Sequence, residues 1–441
     1  PYQDAVGNQL HYDPVVDNPI WSNKNNLYDD EINRIIGNVN FTYKLTDWLN
    51  AEYRVGMDRF DFFFSAYDQI GARGGANTNA NQLGGIRELT NVNTNLNSTL
   101  LLTGQKDVNK FLFNYTLGHE VYEGSTKTSD LIGRTLVVRN YRNLNGNAIN
   151  YVPFYEVTKR RVMGVFGSVD MVYNNYATLN VSLRNDWNST LPVDNNSYLY
   201  YSVAGTYNIT AAFPSLKSNT LNLLKVRGNY GRVGKGADFL YATETYFAKP
   251  NPADGFGPNI VFPFNNLAGY TLNNQSGNPD LKPEFTTTYE AGIDLGMFNN
   301  KINLELTAYT IKSTDIILSA PVSSASGVSN VIKNSGSLTT NGIEFALGIT
   351  PVRTKDFQWT STFNFTSFRS VVDELAPGVS NIFLGGFVTP NTRLVAGDEY
   401  GQLYGSAYRR DSLGRLLLNT NGLPQPTTNV VKMSSTTRVG I

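Results

Sequence analysis

The residue types that carry most enzymatic chemistry are scarce in this sequence. It has no cysteine and only two histidines, His11 and His119, so a thiolate site is excluded and little material remains for imidazole chemistry. The run from Gly231 to Lys235 lacks the spacing, and the Ser or Thr after the lysine, of a phosphate-binding loop. No grouping of Ser, His and acid suggests a nucleophile. The sequence therefore predicts no enzyme, no metal site and no cofactor.

Aromatic side chains are better candidates for contacting a ligand. The sequence contains 26 Tyr and 24 Phe, and many of them stand in segments without strand-like alternation. Aromatic rings beside Asn and Asp can stack on a sugar ring and hydrogen-bond its hydroxyls, or they can hold a peptide. The alternative is that long loops fold on their own apolar side chains or pack against a partner. The substrate-binding candidates, predicted to lie in two long loops, are Phe60, Phe62, Phe63, Tyr67, Tyr241, Tyr246, Phe247 and Tyr270.

A second group of candidates consists of charged residues on the polar side of predicted strands. They could line the path of a substrate or pair with a domain inside a pore. The alternative, which we favour, is a solvated wall of salt bridges. The seven lumen-lining candidates are Arg184, Asp186, Lys225, Arg227, Glu290, Asp294 and Glu305.

Strands must position these candidates, because a period of two runs through the sequence. In the segment 177–187, Val181 and Leu183 share one parity, while Asn180, Ser182 and Arg184 share the other. Successive side chains of a strand point to opposite faces, so such a segment has one apolar and one polar side. The pattern predicts about twelve long strands, near 33–45, 47–57, 94–104, 109–122, 157–173, 176–187, 198–210, 221–232, 285–297, 301–313, 341–351 and 356–369.

The connections between these strands alternate between short and long. Short turns are predicted at 46–47, 106–107, 174–175, 299–300 and 353–355, with a longer one at 211–220, and long connections at 58–93, 123–156, 188–197, 233–284, 314–340 and after 370. Outer-membrane barrels alternate in this way, with tight periplasmic turns and long extracellular loops. The alternative is a large soluble β-sandwich or solenoid. It is disfavoured because the predicted strands far exceed the roughly 5–6 residues usual in soluble sheets.

Composition agrees with a membrane strand protein. The 36 basic and 36 acidic residues cancel, so nothing in the charge favours nucleic acid as a partner. No apolar run reaches the length of about 18 residues that a transmembrane helix needs, whereas barrel strands show only alternating apolarity. Aromatic residues gather near predicted strand ends, as in the girdles of such barrels. We predict an all-β fold, a large antiparallel transmembrane β-barrel surrounded by outer-membrane lipid.

Several motifs resemble the SusC/RagA family of TonB-dependent outer-membrane transporters of Bacteroidota. The sharpest begins with the run from Gly277 to Glu284, GNPDLKPE, and continues through YEAGIDLGMFNNK at 289–301. The prolines of this run cannot donate to a ladder, so they precede the strand. Further matches, in family order along nearly the whole chain, are NPIWS at 18–22, RRVMGVFGS at 160–168, NVSLRNDWNSTLP at 180–192, KVRGNYGRVG at 225–234, NSG at 334–336, NGIE at 341–344, GDEYGQLYG at 397–405 and DSLG at 411–414.

The resemblance implies that residues 1–441 are part of a single outer-membrane barrel domain. The complete barrel would have 22 strands and an N-terminal plug, and the plug and the final strands would lie outside this chain. Family members also imply partners: TonB, acting through a Ton box outside this chain, and a SusD-like lipoprotein that covers the extracellular side.

Three functions remain open at this point. The leading hypothesis is TonB-dependent import of a large nutrient, a glycan or an oligopeptide. The alternatives are a passive porin and a structural or adhesive surface barrel. A plug and a Ton box would separate the first function from the other two.

Overall fold

One antiparallel sheet of 13 strands dominates the molecule. The computed structural model describes residues 2–10, 16–73, 82–238, 240, 242–243, 247–248, 267–269, 271–272, 274–387, 389–433 and 438–440. The strands of the sheet, each beside the next, are β1 (Leu27–Thr46), β2 (Leu49–Asp68), β3 (Gly85–Val108), β4 (Phe111–Leu136), β5 (Ala148–Tyr173), β6 (Ala177–Asn188), β7 (Ser197–Asn208), β8 (Leu221–Lys235), β12 (Glu284–Met297), β13 (Ile302–Thr314), β16 (Gly336–Arg353), β17 (Gln358–Leu375) and β22 (Arg438–Gly440).

Shorter elements lie between these strands. Helices α1 (Pro19–Asn25), α2 (Leu144–Asn147) and α3 (Ile209–Ala212) span one or two turns each. Three small sheets are formed by β9 (Phe247–Ala248) with β10 (Thr271–Leu272), by β11 (Gln275–Ser276), β14 (Ile317–Pro321) and β15 (Asn330–Asn334), and by β18 (Ile382–Gly386), β19 (Asn391–Leu394), β20 (Gln402–Gly405) and β21 (Val431–Lys432). Within the described residues, no helix has the length and apolarity needed to cross a bilayer.

The predicted antiparallel β architecture is confirmed, and all twelve predicted strands are present. Most of the strands are longer than predicted, above all in the first half of the chain. The predicted loop 58–93 is wrong because β2 continues to Asp68 and β3 begins at Gly85. The predicted loop 123–156 is also wrong, since β4 and β5 occupy most of it. The candidates Phe60, Phe62, Phe63 and Tyr67 therefore lie in a strand.

The tight turns depend on asparagine in the left-handed conformation. Asn174 and Asn175 have φ of 45° and 60°, and Asn299 and Asn300 have φ of 57° and 59°. Asn tolerates this region better than most residues, and both predicted turns are confirmed. The predicted turn at 106–107 is wrong: it lies inside β3, and the chain reverses at Asn109, where φ is 56°.

The chain divides into two compact units, each with its own apolar cluster. Unit 1 comprises Pro1–Tyr43, Glu52–Leu100 and Glu120–Met163, and unit 2 comprises Lys44–Ala51, Leu101–His119 and Gly164–Ile441. In unit 1, Tyr67, Ile86 and Leu136 are buried together. In unit 2, Leu191, Tyr198, Leu281, Ile317 and Ile332 form the largest cluster together with two buried alanines, Ala237 and Ala242. The assignment of the chain to one domain stays a prediction.

The two faces of the sheet are exposed in the opposite sense to those of a soluble protein. On β6, the apolar residues Leu179, Val181 and Leu183 are 41 %, 39 % and 51 % exposed. The polar residues Asn180 and Ser182 between them are half-buried. Soluble domains bury their apolar side chains, whereas transmembrane barrels turn them toward lipid and keep the other face polar. We refer to these as the lipid face and the polar face.

The run from Gly277 to Glu284 fixes the start of β12. Leu281 is fully buried, and the backbone N–H of Lys282 donates to Oδ1 of Asn334 at 2.9 Å. The Asn334 side-chain amide donates in turn to the Lys282 carbonyl at 2.8 Å. Glu284 accepts a hydrogen bond from the N–H of Ile317 at 2.6 Å. The motif thus joins β12 to β14 and β15, and its leucine fills the cluster beneath them.

The NPIWS motif opens helix α1 in unit 1. The side chain of Asn18 caps the helix by accepting from the N–H of Ile20 at 3.0 Å, as residues of its type do. Trp21 is fully buried, and its indole N–H donates to the Gly7 carbonyl at 3.0 Å. The motif therefore anchors the segment that leads into β1.

The segment after β17, predicted as irregular, contains the four-stranded sheet β18–β21. Its residues 397–400 bond back to β17, and Arg369 reaches Glu399 at 2.9 Å. The ammonium group of Lys432 lies 2.8 Å from Asp398, and the Tyr404 hydroxyl also donates to that carboxylate. Both contacts hold the pKa of Asp398 below its usual range. The segment is thus fixed by ion pairs and by an apolar cluster in which Ile382 and Leu394 are buried with Val372 of β17.

Candidate functional site: the polar face of the sheet

Charged side chains on the polar face of β8, β12 and β13 form a group that we call the charged wall: Lys225, Arg227, Glu290, Asp294 and Glu305. Lys225 lies 3.3 Å from Asp294, and Arg227 lies 3.4 Å from Asp294 and 3.8 Å from Glu290. The strand register sets Lys225 opposite Asp294, and Asp294 opposite Glu305. Like charges directly opposite are unfavourable, and the two basic residues offset that repulsion.

A glycine makes room for the central arginine of the charged wall. Gly292 is the cross-strand neighbour of both Arg227 and Thr307. A Cβ at Gly292 would lie 2.6 Å from Nε of Arg227. With no side chain there, the guanidinium crosses β12 and donates to the Thr307 hydroxyl at 2.5 Å. The glycine of the YEAGIDLG motif thus has a steric role.

The charged wall borders a cavity of 740 Å³ on the polar face. Its lining includes Arg227, Glu290, Glu305, Tyr309, Glu344 and Asn364. The Tyr309 ring lies over Gly342, its cross-strand neighbour, where a side chain would collide with it. The cavity is therefore rich in carboxylates, and its wall also contains the aromatic residues Tyr309, Phe345 and Phe365.

The two remaining charged candidates pair with each other on β6. Nε of Arg184 donates to Asp186 at 2.7 Å, and the Tyr200 hydroxyl donates to the other oxygen of Asp186 at 2.7 Å. The Arg184 guanidinium lies 5.2 Å from the centre of the Phe166 ring. Asp186 is only 6 % exposed. It links β6 to β7, because it accepts from Arg184 of its own strand and from Tyr200 of the neighbouring strand. All seven charged candidates lie on the polar face, and their role in transport stays a prediction.

Aromatic rings follow one another along β2 in unit 1. Phe60, Phe62 and Phe64 share one parity of the strand, and the rings of Phe62 and Phe64 stack with centroids 6.4 Å apart and planes 13° apart. The Arg87 guanidinium of β3 lies 5.9 Å from the Phe64 ring. The same guanidinium pairs with Asp130 of β4 at 2.7 Å. The three strands therefore present these residues on the same face.

Asparagine side chains continue that face along β3. Asn91, Asn93, Asn95 and Asn97 alternate with Val, Thr and Leu, and each bonds to a residue of β4. The Thr126 hydroxyl donates to Asn93 at 2.7 Å, and the Tyr122 hydroxyl donates to Asn95 at 2.8 Å. Asn97 donates to Glu120 at 3.1 Å. We call the set Phe60, Phe62, Phe64, Asn91, Asn93, Asn95, Asn97 and Tyr122 the aromatic–amide track.

The other predicted ligand residues have different outcomes. Phe63 alternates with Phe62 and Phe64, so it lies on the opposite face, 40 % exposed. Tyr67 is 4 % exposed; its hydroxyl donates to Gln69 and accepts from the N–H of Asn140, so it belongs to the core of unit 1. Tyr241, Tyr246 and Tyr270 lie outside the described residues, and Phe247 is described only as backbone in β9.

Sequence reasoning missed the asparagines of the track, Tyr122 and Glu344 as site residues. The signal was present in the alternation NVNTNLN at 91–97, a period of two with polar residues on one parity. The predicted strand begins only at residue 94, so half of this run of asparagines falls in a predicted loop.

The family model for the TonB dependent receptor-like β-barrel matches residues 2–439. The chain is 28 % identical over 275 residues to TonB-dependent receptor P3 of Formosa agariphila, covering 61 % of this chain and 26 % of that protein. It is 27 % identical over 229 residues to TonB-dependent receptor SusC of Bacteroides thetaiotaomicron, covering 50 % of this chain and 22 % of that protein. The matched region thus spans less than a third of either relative.

Solved structures agree on the fold. A structure of the RagAB peptide transporter superposes with a TM-score of 0.76 at 19 % identity, covering 95 % of this chain and 44 % of that one. At this identity the likeness shows the fold alone. The alternation, the exposed lipid face, the motifs and the family match lead to one assignment: the chain belongs to the TonB-dependent receptor β-barrel family and is an outer-membrane protein.

Proposed function

We propose that this chain is the barrel part of a TonB-dependent importer that moves a large nutrient, a glycan or an oligopeptide, across the outer membrane. The observation that carries the proposal is a sheet with an exposed apolar side and a polar side that borders a cavity, in a chain of the TonB-dependent receptor family. Import of this kind needs no covalent chemistry, so specificity resides in the polar face and the loops.

The partners follow from the same family. TonB would act through a Ton box outside this chain, and a SusD-like lipoprotein would cover the extracellular side. Similarity to SusC and to RagAB, which is described as a peptide importer, supports this assembly. The seven charged candidates would then form part of the wall of the transport path or contact a plug.

The proposal is tested on the full-length protein in its own outer membrane. Uptake of a labelled nutrient mixture is compared between cells with and without TonB, and between intact protein and protein lacking its Ton box. Energised import predicts that both losses abolish uptake. Uptake that persists in both cases indicates a passive porin, and a strain without the protein that takes up nutrients normally indicates a structural or adhesive role.

The intact mass of the polypeptide extracted from outer membranes adds an independent check. A mass well above the 48.8 kDa of these residues is expected, because a plug and further strands are required. A mass close to 48.8 kDa would contradict the importer.

A further inference from the structure

We infer that three basic side chains on the lipid face of β4 and β5 bind the phosphate group of an anionic lipid in the outer leaflet of the membrane. Lys127 lies on β4, Lys159 and Arg161 lie on β5, and all three are exposed. We call these residues the outer basic cluster. They lie on a different face of the strands from the one proposed to serve transport.

The strand parity of the outer basic cluster places it on the lipid face. Side chains of a strand alternate between its two faces, and Lys159 and Arg161 share their parity on β5 with Met163, which is exposed. On β4, Lys127 shares its parity with Leu117, which is 54 % exposed. The cations therefore project away from the polar face.

The cluster lies at the border of the lipid face. From Tyr173 at the short turn to Met163, no residue of this parity on β5 is charged, and that stretch rises about 25 Å, the height of the apolar band of such barrels. Arg161 and Lys159 come next, about 5 Å and 10 Å farther along the membrane normal by the same rise and tilt. A headgroup layer is about 5–8 Å thick, and Lys and Arg side chains extend their charged ends into polar surroundings. Both cations therefore reach the lipid phosphates of the leaflet on the side of the long connections, which is the outer one.

Positive charge exceeds negative charge on the outward positions of β4 and β5. Their charged side chains are the three cations and one carboxylate, Glu123. Lys127 and Lys159 form no ion pair with any residue that the structure describes. On the neighbouring strand β3, the outward carboxylate of Glu88 accepts a hydrogen bond from the Ser65 hydroxyl at 3.0 Å. An excess of two positive charges thus remains on β4 and β5, which suits a phosphate group.

Two contacts position the cluster. Nε and a terminal nitrogen of Arg161 donate to the same carboxylate oxygen of Glu123, the first of them at 2.9 Å. The ammonium group of Lys127 lies 5.6 Å from the centre of the Tyr155 ring, and tyrosine favours the boundary between membrane and water. Both contacts join β4 to β5, so they hold the cations of the two strands on one surface. Lysine and arginine are the usual partners of phosphate in proteins.

The position of the cluster along its strands favours a lipid over a protein partner. β4 continues for nine residues beyond Lys127 to Leu136, and β5 begins eleven residues before Lys159 at Ala148. Nine residues of strand extend about 30 Å. A protein that covers the extracellular ends contacts the tips of the strands, whereas their flank at this depth faces headgroups. Anionic headgroups attract Lys and Arg side chains near the membrane surface.

The test measures lipid binding to the full-length protein, purified in detergent, by native mass spectrometry. The probes are diphosphoryl lipid A, monophosphoryl lipid A and dioleoyl phosphatidylcholine, and we expect the affinity to fall in that order with the negative charge of the lipid. Lys127→Gln with Lys159→Gln should weaken binding of diphosphoryl lipid A by about tenfold or more, because each cation near an anionic surface contributes about fivefold. Binding of phosphatidylcholine should change by less than about twofold, because this lipid has no net charge.

A second variant should strengthen binding. Glu123→Gln removes the carboxylate from the outward positions of β4 and β5, and the affinity for diphosphoryl lipid A should rise about threefold to fivefold. A purely structural role of the cluster would not produce a tighter complex. The matched control is Lys301→Gln with Lys355→Gln, since both lysines are exposed and lie in short turns. It removes the same charge without altering β4 or β5 and should change the affinity by less than about twofold.

Three outcomes would overturn the inference: the three lipids bind with equal affinity, the double variant of Lys127 and Lys159 binds as the wild type does, or Glu123→Gln fails to strengthen binding. Inorganic phosphate at the concentration of the lipid should not compete, and equal competition would contradict a lipid site. Loss of a co-purified protein from the double lysine variant, with unchanged lipid binding, would assign the surface to a protein partner instead. Retention of the β spectrum by every variant shows that lost binding is not lost folding.

Discussion

The aromatic–amide track of unit 1 and the charged wall of unit 2 differ in chemistry. The track uses short neutral hydrogen bonds, such as those of Asn93 and Asn95 at 2.7 Å and 2.8 Å. The charged wall uses ion pairs at 3.3 Å to 3.8 Å. Neutral hydrogen bonds act only at contact distance, whereas charges act over a Debye length.

The two regions differ in how many contacts a single substitution removes. Each asparagine of the track bonds to its own partner on β4, so one substitution removes one or two bonds. Arg227, in contrast, touches Asp294, Glu290 and Thr307 at once. The charged wall is therefore a coupled network, and the track is a series of nearly independent positions. A series of that kind loses its contacts one position at a time, whereas one substitution in a network affects several contacts at once.

The largest expected effect tests the assignment of the lipid face and the polar face on β6. Val181→Arg places a charge on the lipid face of β6 and should destabilise the barrel by about 2–4 kcal/mol if it lies at mid-depth. Ser182→Arg, on the polar face, should cost little. Folding yield and urea unfolding of the full-length protein in bilayers measure both. Equal tolerance of the two changes would contradict the assignment of the faces and with it the comparison.

The next effect probes the coupling within the charged wall. Arg227→Met leaves Glu290 and Asp294 without their shared cation, and we expect a loss of about 1–2 kcal/mol because the groups are only partly exposed. Unfolding in urea measures the loss. Adding Asp294→Asn to Arg227→Met should restore part of it, since the excess negative charge falls. Strict additivity of the two changes would show that the charged wall is not a network.

A smaller effect is expected from one position of the track. Tyr122→Phe removes the hydroxyl that donates to Asn95 and should cost about 1 kcal/mol, the usual value of one hydrogen bond. Tyr155→Phe, at a residue 64 % exposed, serves as the matched control and should cost almost nothing. Hydrogen exchange of β3 should change near Asn95 alone. A loss of protection along the whole ladder would mean that the track is coupled like the charged wall.

The sequence predicts the charged wall better than the track, for a physical reason. Where a strand crosses lipid, one face must be apolar, and the alternation then marks the strand, as it does around Arg184 and Lys225. Beyond the lipid both faces meet water, so the alternation fades although the backbone ladder continues. The run from Phe60 to Tyr67, with three consecutive phenylalanines at 62–64, and residues 85–90 show no clear alternation, and the sequence therefore predicts a loop there.

The sequence also does not indicate which of the distant motifs contact each other. The segments around Lys282 and Asn334 were each singled out by resemblance, yet nothing in either indicates that they bond to each other across 52 positions. The role of Gly292 is likewise not predictable from the sequence. Its conformation is ordinary, and its role becomes clear only when the register places Arg227 across from it.

The smallest expected effect is a response to salt that separates the two regions. Raising NaCl from 50 mM to 500 mM shortens the Debye length from about 14 Å to about 4 Å. The destabilisation caused by Tyr122→Phe should stay within about 0.3 kcal/mol of its low-salt value, because the lost hydrogen bond to Asn95 is neutral. The destabilisation caused by Arg227→Met should shrink over the same range, since the exposed carboxylates it leaves are screened. Strong salt dependence of the Tyr122→Phe effect would mean that a charged group is coupled to this hydrogen bond, with Glu120 as the nearest candidate, and the track would then resemble the charged wall.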